Sequence, residues 1–143
     1  YGFAKSKDDA IRNYLNKLHC PTQYVRPEEA IEGILKAGGI PVLAHPTYGS
    51  GDQLILGEEM DERLKKLMGF GLQGGEAFYS GFTARLRKQM LAFAEKYDLY
   101  VTAGSDYHGA NKLVPLKDTG CEDASEGPEG LQRFLRDVLE RTQ

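Results

Sequence analysis

The sequence predicts an α/β fold in which helices alternate with parallel strands. Stretches with the apolar spacing of amphipathic helices are separated by short apolar or β-branched runs, a pattern typical of β/α units. One of these runs ends in His45 and another ends in Asp106 and His108, all of which are metal-binding residue types. Because β/α proteins place functional groups where their parallel strands end, we expect these side chains at one edge of the sheet.

The helices are predicted from apolar spacing and from capping residues. Ser6 can cap the first helix, and Pro27 suits the first turn of the second. The predicted helices cover residues 7–17, a segment that opens at 26–29, and residues 58–70, 83–97 and 129–140. We expect their apolar faces to be buried, including Ile11, Tyr14, Leu15 and Leu18 in the first helix and Ala30, Ile31, Ile34, Leu35 and Ala37 in the second.

Three strands are predicted between these helices. They cover residues 40–44 and 73–79, and a third run that begins at Tyr100. The first strand leads into a Gly/Ser-containing loop over residues 47–52. This loop either contacts phosphate through its backbone amides or is a plain connection, since it lacks the lysine and spacing of a Walker motif.

The end of the third strand is a candidate metal site. Small residues at 103–105 lead to Asp106 and His108, and Gly109 lets the chain turn away. In an extended backbone Asp106 and His108 point to the same side, because side chains alternate along a strand. A carboxylate and an imidazole together suit zinc, manganese or iron. The alternative is a polar turn in which Asp106 caps the backbone and His108 is exposed.

His45 ends the first strand in a similar way. Pro46 restricts the preceding residue to extended backbone, so we expect the His45 imidazole to be aimed from an extended strand end. A lone histidine after an apolar run is more often structural than a ligand. The second strand end with ligand-type residues favours a functional role for His45.

Three motifs carry a resemblance to a known family. Residues 38–46 read GGIPVLAHP, residues 71–80 read GLQGGEAFYS, and residues 102–109 read TAGSDYHG. In these motifs and their order the sequence resembles the PHP (polymerase and histidinol phosphatase) superfamily, especially its small, stand-alone, predicted metal-dependent phosphoesterases. The resemblance implies a distorted barrel of seven β/α units, with up to three metal ions bound at the carboxyl ends of the strands.

The resemblance covers about half of the superfamily's domain. Members begin with a strand that carries a His-x-His pair, whereas the histidines here are His19, His45 and His108 and no such pair occurs. We therefore expect a C-terminal piece of a longer protein. Residues 1–26 would belong to a small helical insert subdomain and residues 27–143 to the C-terminal part of the barrel. His19, at a predicted helix end, is expected on the surface.

Five residues are assigned to the site itself. We predict that His45, Asp106 and His108 are metal ligands, with Asp106 and His108 as the catalytic pair. Glu76 and Ser105 are expected to orient these ligands without binding the metal themselves. Glu76 lies in a strand that should be buried, so it also suits a paired structural acid.

Two basic residues are candidates for holding the substrate phosphate. Lys112 lies four residues beyond His108 in a loop near the site. Arg85 lies in the first turns of a helix, where a cation opposes the helix dipole. The alternative for Arg85 is a solvated basic face.

These features predict a metal-dependent phosphoesterase that hydrolyses a small phosphate ester, such as a nucleotide. The expected cofactors are manganese, zinc or iron. The expected partners are the missing N-terminal half of the domain and a second copy of the chain, which an unpaired sheet edge would attract. Two alternatives stay open: a metal-dependent amide or amidine hydrolase of a related barrel, and a catalytically inactive binding fragment.

Composition is that of an ordinary globular domain. The 143 residues are 41% hydrophobic and 27% charged, with a net charge of −3 that argues against a broad nucleic-acid surface. No apolar run reaches the roughly 20 residues needed to span a bilayer. The two cysteines lack metal-site spacing, so we interpret them as free thiols and expect a cytoplasmic location.

Overall fold

The computed structural model describes residues 2–18, 24–49, 53–111 and 113–141. Its helices are α1 (Lys7–Asn13), α2 (Pro27–Lys36), α3 (Gly57–Gly69), α4 (Ala84–Lys96) and α5 (Glu129–Arg141), and its strands are β1 (Val42–Leu43), β2 (Gly74–Tyr79) and β3 (Tyr100–Gly104). Short 3-10 turns occur at Leu15–Lys17 and Gly109–Asn111. No described helix has both the length and the apolar character needed to cross a membrane.

The three strands form a parallel sheet in the order β1-β2-β3. Val42 lies opposite Gly74, and Gly74 lies opposite Tyr100. Parallel neighbours need a crossover connection, which α3 provides between β1 and β2 and α4 provides between β2 and β3. The predicted α/β class is confirmed for this part of the chain. Closure into a seven-unit barrel and the division at residue 26 stay predictions.

The core lies between the sheet and the helices α3, α4 and α5. Its best-buried side chains are at most 3% exposed: Met60, Leu64, Ala77, Val101, Met90 and Leu131. Each large apolar side chain buried in this way contributes about 1.5–3 kcal/mol relative to an exposed one. This packing fixes the strands and therefore fixes the loops that leave their carboxyl ends.

A polar cluster also joins α3 to α4. The Asp61 carboxylate accepts hydrogen bonds from Lys96 Nζ and the Tyr97 hydroxyl, both at 2.6 Å, and it lies 2.7 Å from Lys65 Nζ. Hydrogen bonds from Lys65, Lys96 and Tyr97 hold the pKa of Asp61 well below its usual range. The ionised carboxylate is therefore strongly favoured in the folded state.

Two apolar faces that were expected to be buried are exposed. α1 ends at Asn13 and contains no buried residue, while Tyr14 and Leu15 are 50% and 58% exposed. In α2 only Ile31 is buried, and Ile34 is 41% exposed. The prediction was wrong for these faces because amphipathic spacing shows that a helix has an apolar side, whereas burial also needs a neighbouring surface.

Other boundaries differ by a few residues, and β1 is shorter than the predicted strand over residues 40–44. The chain leaves the sheet early because it turns at His45, whose carbonyl accepts a hydrogen bond from the Tyr48 N–H at 3.2 Å. Of the two cysteines, Cys121 is a half-buried free thiol, as predicted. Cys20 and His19 lie outside the described residues.

Candidate active site

The strand ends bring His45, Tyr79 and Asp106 together. His45 follows β1, Tyr79 is the last residue of β2, and Asp106 lies just beyond β3. The His45 and Tyr79 ring centroids are 5.8 Å apart, and the Tyr79 hydroxyl lies 3.4 Å from Asp106 Oδ2. Tyr79 therefore links the histidine of one strand end to the carboxylate of another.

His45 is exposed, as a ligand should be, but its backbone is not extended. Its φ angle is +30°, in the left-handed region that non-glycine residues rarely adopt. The expectation from Pro46 was wrong, because the chain turns at His45 although a proline follows it. The Glu76 carboxylate accepts a hydrogen bond from the His45 N–H at 2.6 Å, where the chain turns.

Asp106 and His108 also depart from the expected extended arrangement. β3 ends at Gly104, and Asp106 has a φ angle of +53°. This turn places His108 Nδ1 2.6 Å from the Asp106 carbonyl oxygen and 3.3 Å from Asp106 Oδ1. The two residues are close because the chain curls between them, and not because they share one side of a strand.

The contact with the Asp106 carbonyl favours one tautomer of His108. A carbonyl oxygen only accepts hydrogen bonds, so the contact is a hydrogen bond when Nδ1 carries the hydrogen. In the neutral imidazole the lone pair is then on Nε2, and the side chain is 59% exposed. Histidine ligands of metals usually donate their second ring N–H to a carbonyl or carboxylate in this way.

Glu76 lies behind the strand ends and is 9% exposed. The pKa of its carboxyl is raised above the usual value, mainly because the group is buried. The hydrogen bond from the His45 N–H and the charge of His45 lower this pKa in part, whereas the charge of Asp106 raises it further. A bulge in β2 between Glu76 and Phe78 changes the pairing with β3 at this position. Bulges of this kind often re-aim side chains beside active sites.

Ser105 is buried, and it ties loops to the sheet. Its hydroxyl donates to the Leu116 carbonyl at 2.9 Å, and its own carbonyl accepts from the Ser80 hydroxyl at 3.0 Å. These bonds connect the ends of β2 and β3 with the loop that follows His108. Ser105 thus holds the backbone next to Asp106, whereas Glu76 contacts the backbone of His45 directly.

The predicted phosphate-holding residues are less central. Arg85 is exposed on the first turn of α4, beside a groove lined by Leu54, Leu56 and Leu86. Lys112 lies outside the described residues. The Gly/Ser-containing loop after His45 is described only as far as Gly49 and again from Gln53.

An aromatic cluster beside His45 was missed by the sequence analysis. Tyr79 packs against Tyr48 and Phe82 at centroid distances of 5.9 and 5.2 Å, and the Tyr48 hydroxyl donates to the Gly81 carbonyl. The available signal was position, since Tyr79 ends its strand as His45 and Asp106 follow theirs. Because functional groups lie where parallel strands end, the last residue of β2 is as strong a candidate as those that follow β1 and β3, and it is Tyr79.

The donor types suit a divalent cation bound by nitrogen and oxygen. The contact at Nδ1 favours the ligand tautomer of His108, and Asp106 supplies a carboxylate beside it. Within residues 2–18, 24–49, 53–111 and 113–141, however, no three His, Cys, Asp or Glu side chains are grouped closely enough to hold an ion. The donor types of these residues therefore suit a metal ion, and they would form only part of the set of ligands that such an ion needs.

Two curated relatives are phosphoesterases, although no family model matches the chain. Phosphoribosyl 1,2-cyclic phosphate 1,2-diphosphodiesterase of Eggerthella lenta is 36% identical over 64% of this chain and 32% of its own length. The 3',5'-nucleoside bisphosphate phosphatase of Chromobacterium violaceum is 31% identical over 75% of this chain and 37% of its own length. The resemblance to the PHP phosphoesterases is confirmed. The chain spans about one third of the length of these relatives.

Solved structures agree with this resemblance. A proposed metal-dependent phosphoesterase of Bifidobacterium adolescentis superposes with a TM-score of 0.60 at 31% identity, over 78% of this chain and 39% of its own. An amidohydrolase of Chromobacterium violaceum, with bound sulfate and no metal, gives a TM-score of 0.59 at 29% identity, over 83% of this chain and 39% of its own.

Proposed function

We propose that this chain supplies part of the active site of a metal-dependent phosphoesterase of the PHP type. The observation that carries the proposal is the position of three residues in one parallel sheet: His45 follows the carboxyl end of β1, and Asp106 and His108 follow that of β3. The contact of His108 Nδ1 with the Asp106 carbonyl supports it, because it favours the tautomer in which Nε2 is free to bind a metal. The phosphoesterase relatives support the same reaction class.

Each ligand has a separate task in this proposal. Asp106 provides the negative charge that attracts a cation, and His45 and His108 provide neutral nitrogen donors. A bound divalent cation would lower the pKa of a water molecule and offset charge on the phosphate oxygens. Asp106 and His108 would also hold that water and the phosphate next to each other.

The proposed cofactors are manganese, zinc or iron, with up to three ions in the complete site. Several ions need bridging and terminal ligands from several strands. The described residues provide one side of such a set, so the remaining ligands would come from elsewhere in the parent domain. We propose that domain's N-terminal half as the partner that completes the site.

The proposed substrate is a small phosphate ester, such as a nucleotide. The relatives act on a cyclic phosphate of a phosphoribosyl compound and on a nucleoside bisphosphate, as their names state. Arg85 and Lys112 are the proposed contacts for phosphate oxygens. Electrostatic stabilisation of charge on the phosphate is usually the largest contribution of such residues.

The test combines metal content with hydrolysis. The purified chain is loaded with Mn²⁺ or Zn²⁺, and release of phosphate from a generic phosphomonoester and from a 3',5'-bisphosphate is measured with and without the N-terminal half of the domain. We expect at most trace release by the chain alone, and metal-dependent release when the two parts are combined. Absence of release from the combined parts, with metal bound, would contradict the proposal.

A metal-dependent amide hydrolase is the second candidate, because one structural neighbour is named an amidohydrolase. The same neighbour holds sulfate, which is a tetrahedral anion like phosphate. Hydrolysis of a panel of amides and phosphate esters separates the two candidates. Inorganic phosphate should inhibit competitively if phosphate esters are the substrates, whereas turnover of amides alone would favour the second candidate.

A further inference from the structure

We propose that Glu76 is a positioning residue that fixes the backbone of His45, and that residue 104 is glycine to make room for it. The inference deepens the proposed function, because it explains how one of the proposed ligands is held in place. It concerns two residues, Glu76 and Gly104, that come from different strands. Neither has to touch a metal ion or a substrate to act in this way.

The conformation of His45 needs an external support. Its φ angle of +30° is unfavourable for a residue with a side chain, and the proline that follows disfavours it further. Such outliers persist only when the surrounding structure determines them, and they are most common at functional sites. Local sequence alone would leave His45 extended.

Glu76 provides that support from the neighbouring strand. Its Oε2 accepts the His45 N–H at 2.6 Å, and its side chain is nearly buried. A buried carboxyl is costly unless it is hydrogen-bonded, and a turned backbone is costly unless it is held. The single bond between Glu76 and His45 addresses both requirements at once.

Gly104 makes this position of Glu76 possible. A Cβ atom built on Gly104 would lie 2.4 Å from Glu76 Oε1, which is closer than such atoms approach in real structures. Gly104 is not among the glycines with positive φ, so its backbone does not require glycine. The space taken by the Glu76 carboxylate is therefore the reason for a glycine here.

The arrangement limits where the His45 imidazole can lie. The fixed backbone sets the direction of its Cβ atom, and Tyr79 packs near the ring at a centroid distance of 5.8 Å. Ligands held by a second layer of contacts are ready for metal binding without reorganisation. Glu76 therefore acts on the site through the geometry of His45.

The test measures the His45 backbone amide by NMR in four forms of the chain: wild type, Gly104→Ala, Glu76→Ala and the double variant. In the wild type we expect a downfield amide proton with slow exchange. Each single variant should speed exchange by about tenfold or more, because a charge-assisted hydrogen bond is lost. The double variant should exchange no faster than Glu76→Ala, because the added methyl group then meets no carboxylate.

Two further variants separate positioning from a general loss of structure. Glu76→Gln keeps an acceptor oxygen and should keep slow exchange at His45. Gly75→Ala is the matched control, since a Cβ atom there would meet only Met90 Cε at an ordinary 3.9 Å. Unchanged amide exchange at His45 in Gly104→Ala would overturn the proposal. So would a Gly104→Ala substitution that accelerates this exchange equally in the wild-type and the Glu76→Ala backgrounds.

Zn²⁺ titration, followed through the ring resonances of His45, provides the functional readout. We expect Gly104→Ala to weaken zinc binding at His45 several-fold and Gly75→Ala to leave it unchanged. Altered amide exchange with unaltered zinc binding would overturn the positioning role. Loss of zinc binding in Glu76→Gln with an intact His45 amide would overturn it in favour of direct ligation. A wild type that binds no zinc even when combined with the N-terminal half of the domain contradicts the proposed function, while amide exchange still decides the geometry.

Discussion

Strained backbone angles occur at two of the three proposed metal ligands. His45 and Asp106 both have positive φ angles, and each such conformation costs about 1–3 kcal/mol for a residue with a side chain. Aspartate tolerates the left-handed region better than most residues, and histidine is also enriched there. Both conformations lie immediately beyond strand ends, where they turn donor groups toward the candidate site.

Asp106→Asn tests the charge of this residue with the backbone conformation kept. Asparagine also adopts the left-handed region, so we expect little change in thermal stability. Metal affinity should fall by about tenfold or more, because the carboxylate that attracts the cation becomes neutral. Isothermal titration with Mn²⁺ and a thermal melt check both parts.

The matched control for this prediction is Asp118→Asn, which changes an exposed carboxylate in the loop after the site. Metal affinity in this control should stay as in the wild type. An equal loss of stability and metal affinity in Asp106→Asn would instead identify Asp106 as a structural residue.

At the scale of elements, α3 and α4 bury side chains in the core, while α1 buries none and α2 buries only Ile31. α3 contributes the buried Met60 and Leu64, and its Asp61 binds Lys96 and Tyr97 at the end of α4. α1 has no buried residue. The helices that supply the core, α3, α4 and α5, are therefore the ones on which the position of the strand ends depends.

Leu64→Ala and Leu15→Ala compare a core helix with an exposed one. Leu64 is 0% exposed and Leu15 is 58% exposed. We expect Leu64→Ala to lower the free energy of unfolding by about 2–5 kcal/mol, because it leaves a cavity. Leu15→Ala should change it by no more than about 0.5 kcal/mol. Urea unfolding measures both, and a comparable loss in Leu15→Ala would show that α1 is packed in solution.

The Asp61 cluster predicts a dependence of stability on acid. Because folding lowers the pKa of Asp61, its contribution is fully present above the unfolded pKa of about 3.9 and is lost as pH falls through the lower folded value. Asp61→Asn should therefore be destabilised relative to the wild type at pH 7. The difference in the free energy of unfolding between wild type and Asp61→Asn should shrink below about pH 4 and disappear only in strong acid.

Urea unfolding at pH 7 and at pH 2–3, for the wild type, Asp61→Asn and Asp118→Asn, checks this expectation. The exposed Asp118 serves as the control, with a small effect at both pH values. A difference between wild type and Asp61→Asn that grows as the pH falls would contradict the assignment.

At the scale of the whole molecule, apolar surface remains uncovered around the described sheet. Ile34 and Leu35 of α2 are 41% and 36% exposed, and β1 is the short strand at one side of the sheet. Exposed apolar groups and unpaired strand edges both favour association. The chain also spans only about one third of its curated relatives.

We therefore expect the isolated chain to self-associate with rising concentration. Sedimentation velocity over a range of concentrations measures this, and Ile34→Gln should weaken association because it places a polar group on the exposed face of α2. Lys36→Gln, on the same helix, is the control. A strictly monomeric wild type at high concentration would contradict the prediction.

The sequence by itself determined the order of the elements and the residue types at the strand ends. Helical and strand patterns are read over a few neighbouring residues, so the β/α alternation and the positions of His45, Asp106 and His108 followed from local composition. The three PHP motifs are local as well. These features do not depend on which segments meet in space.

Only the tertiary structure decided how those ends are shaped. The left-handed turn at His45 depends on Glu76, which is 31 residues away, and the glycine at 104 depends on the same carboxylate. The role of Tyr79 depends on the parallel pairing that places β2 between β1 and β3. Whether the apolar faces of α1 and α2 are covered depends on partner surfaces. Contacts between distant segments set these features, because their energies exceed the local backbone and side-chain preferences.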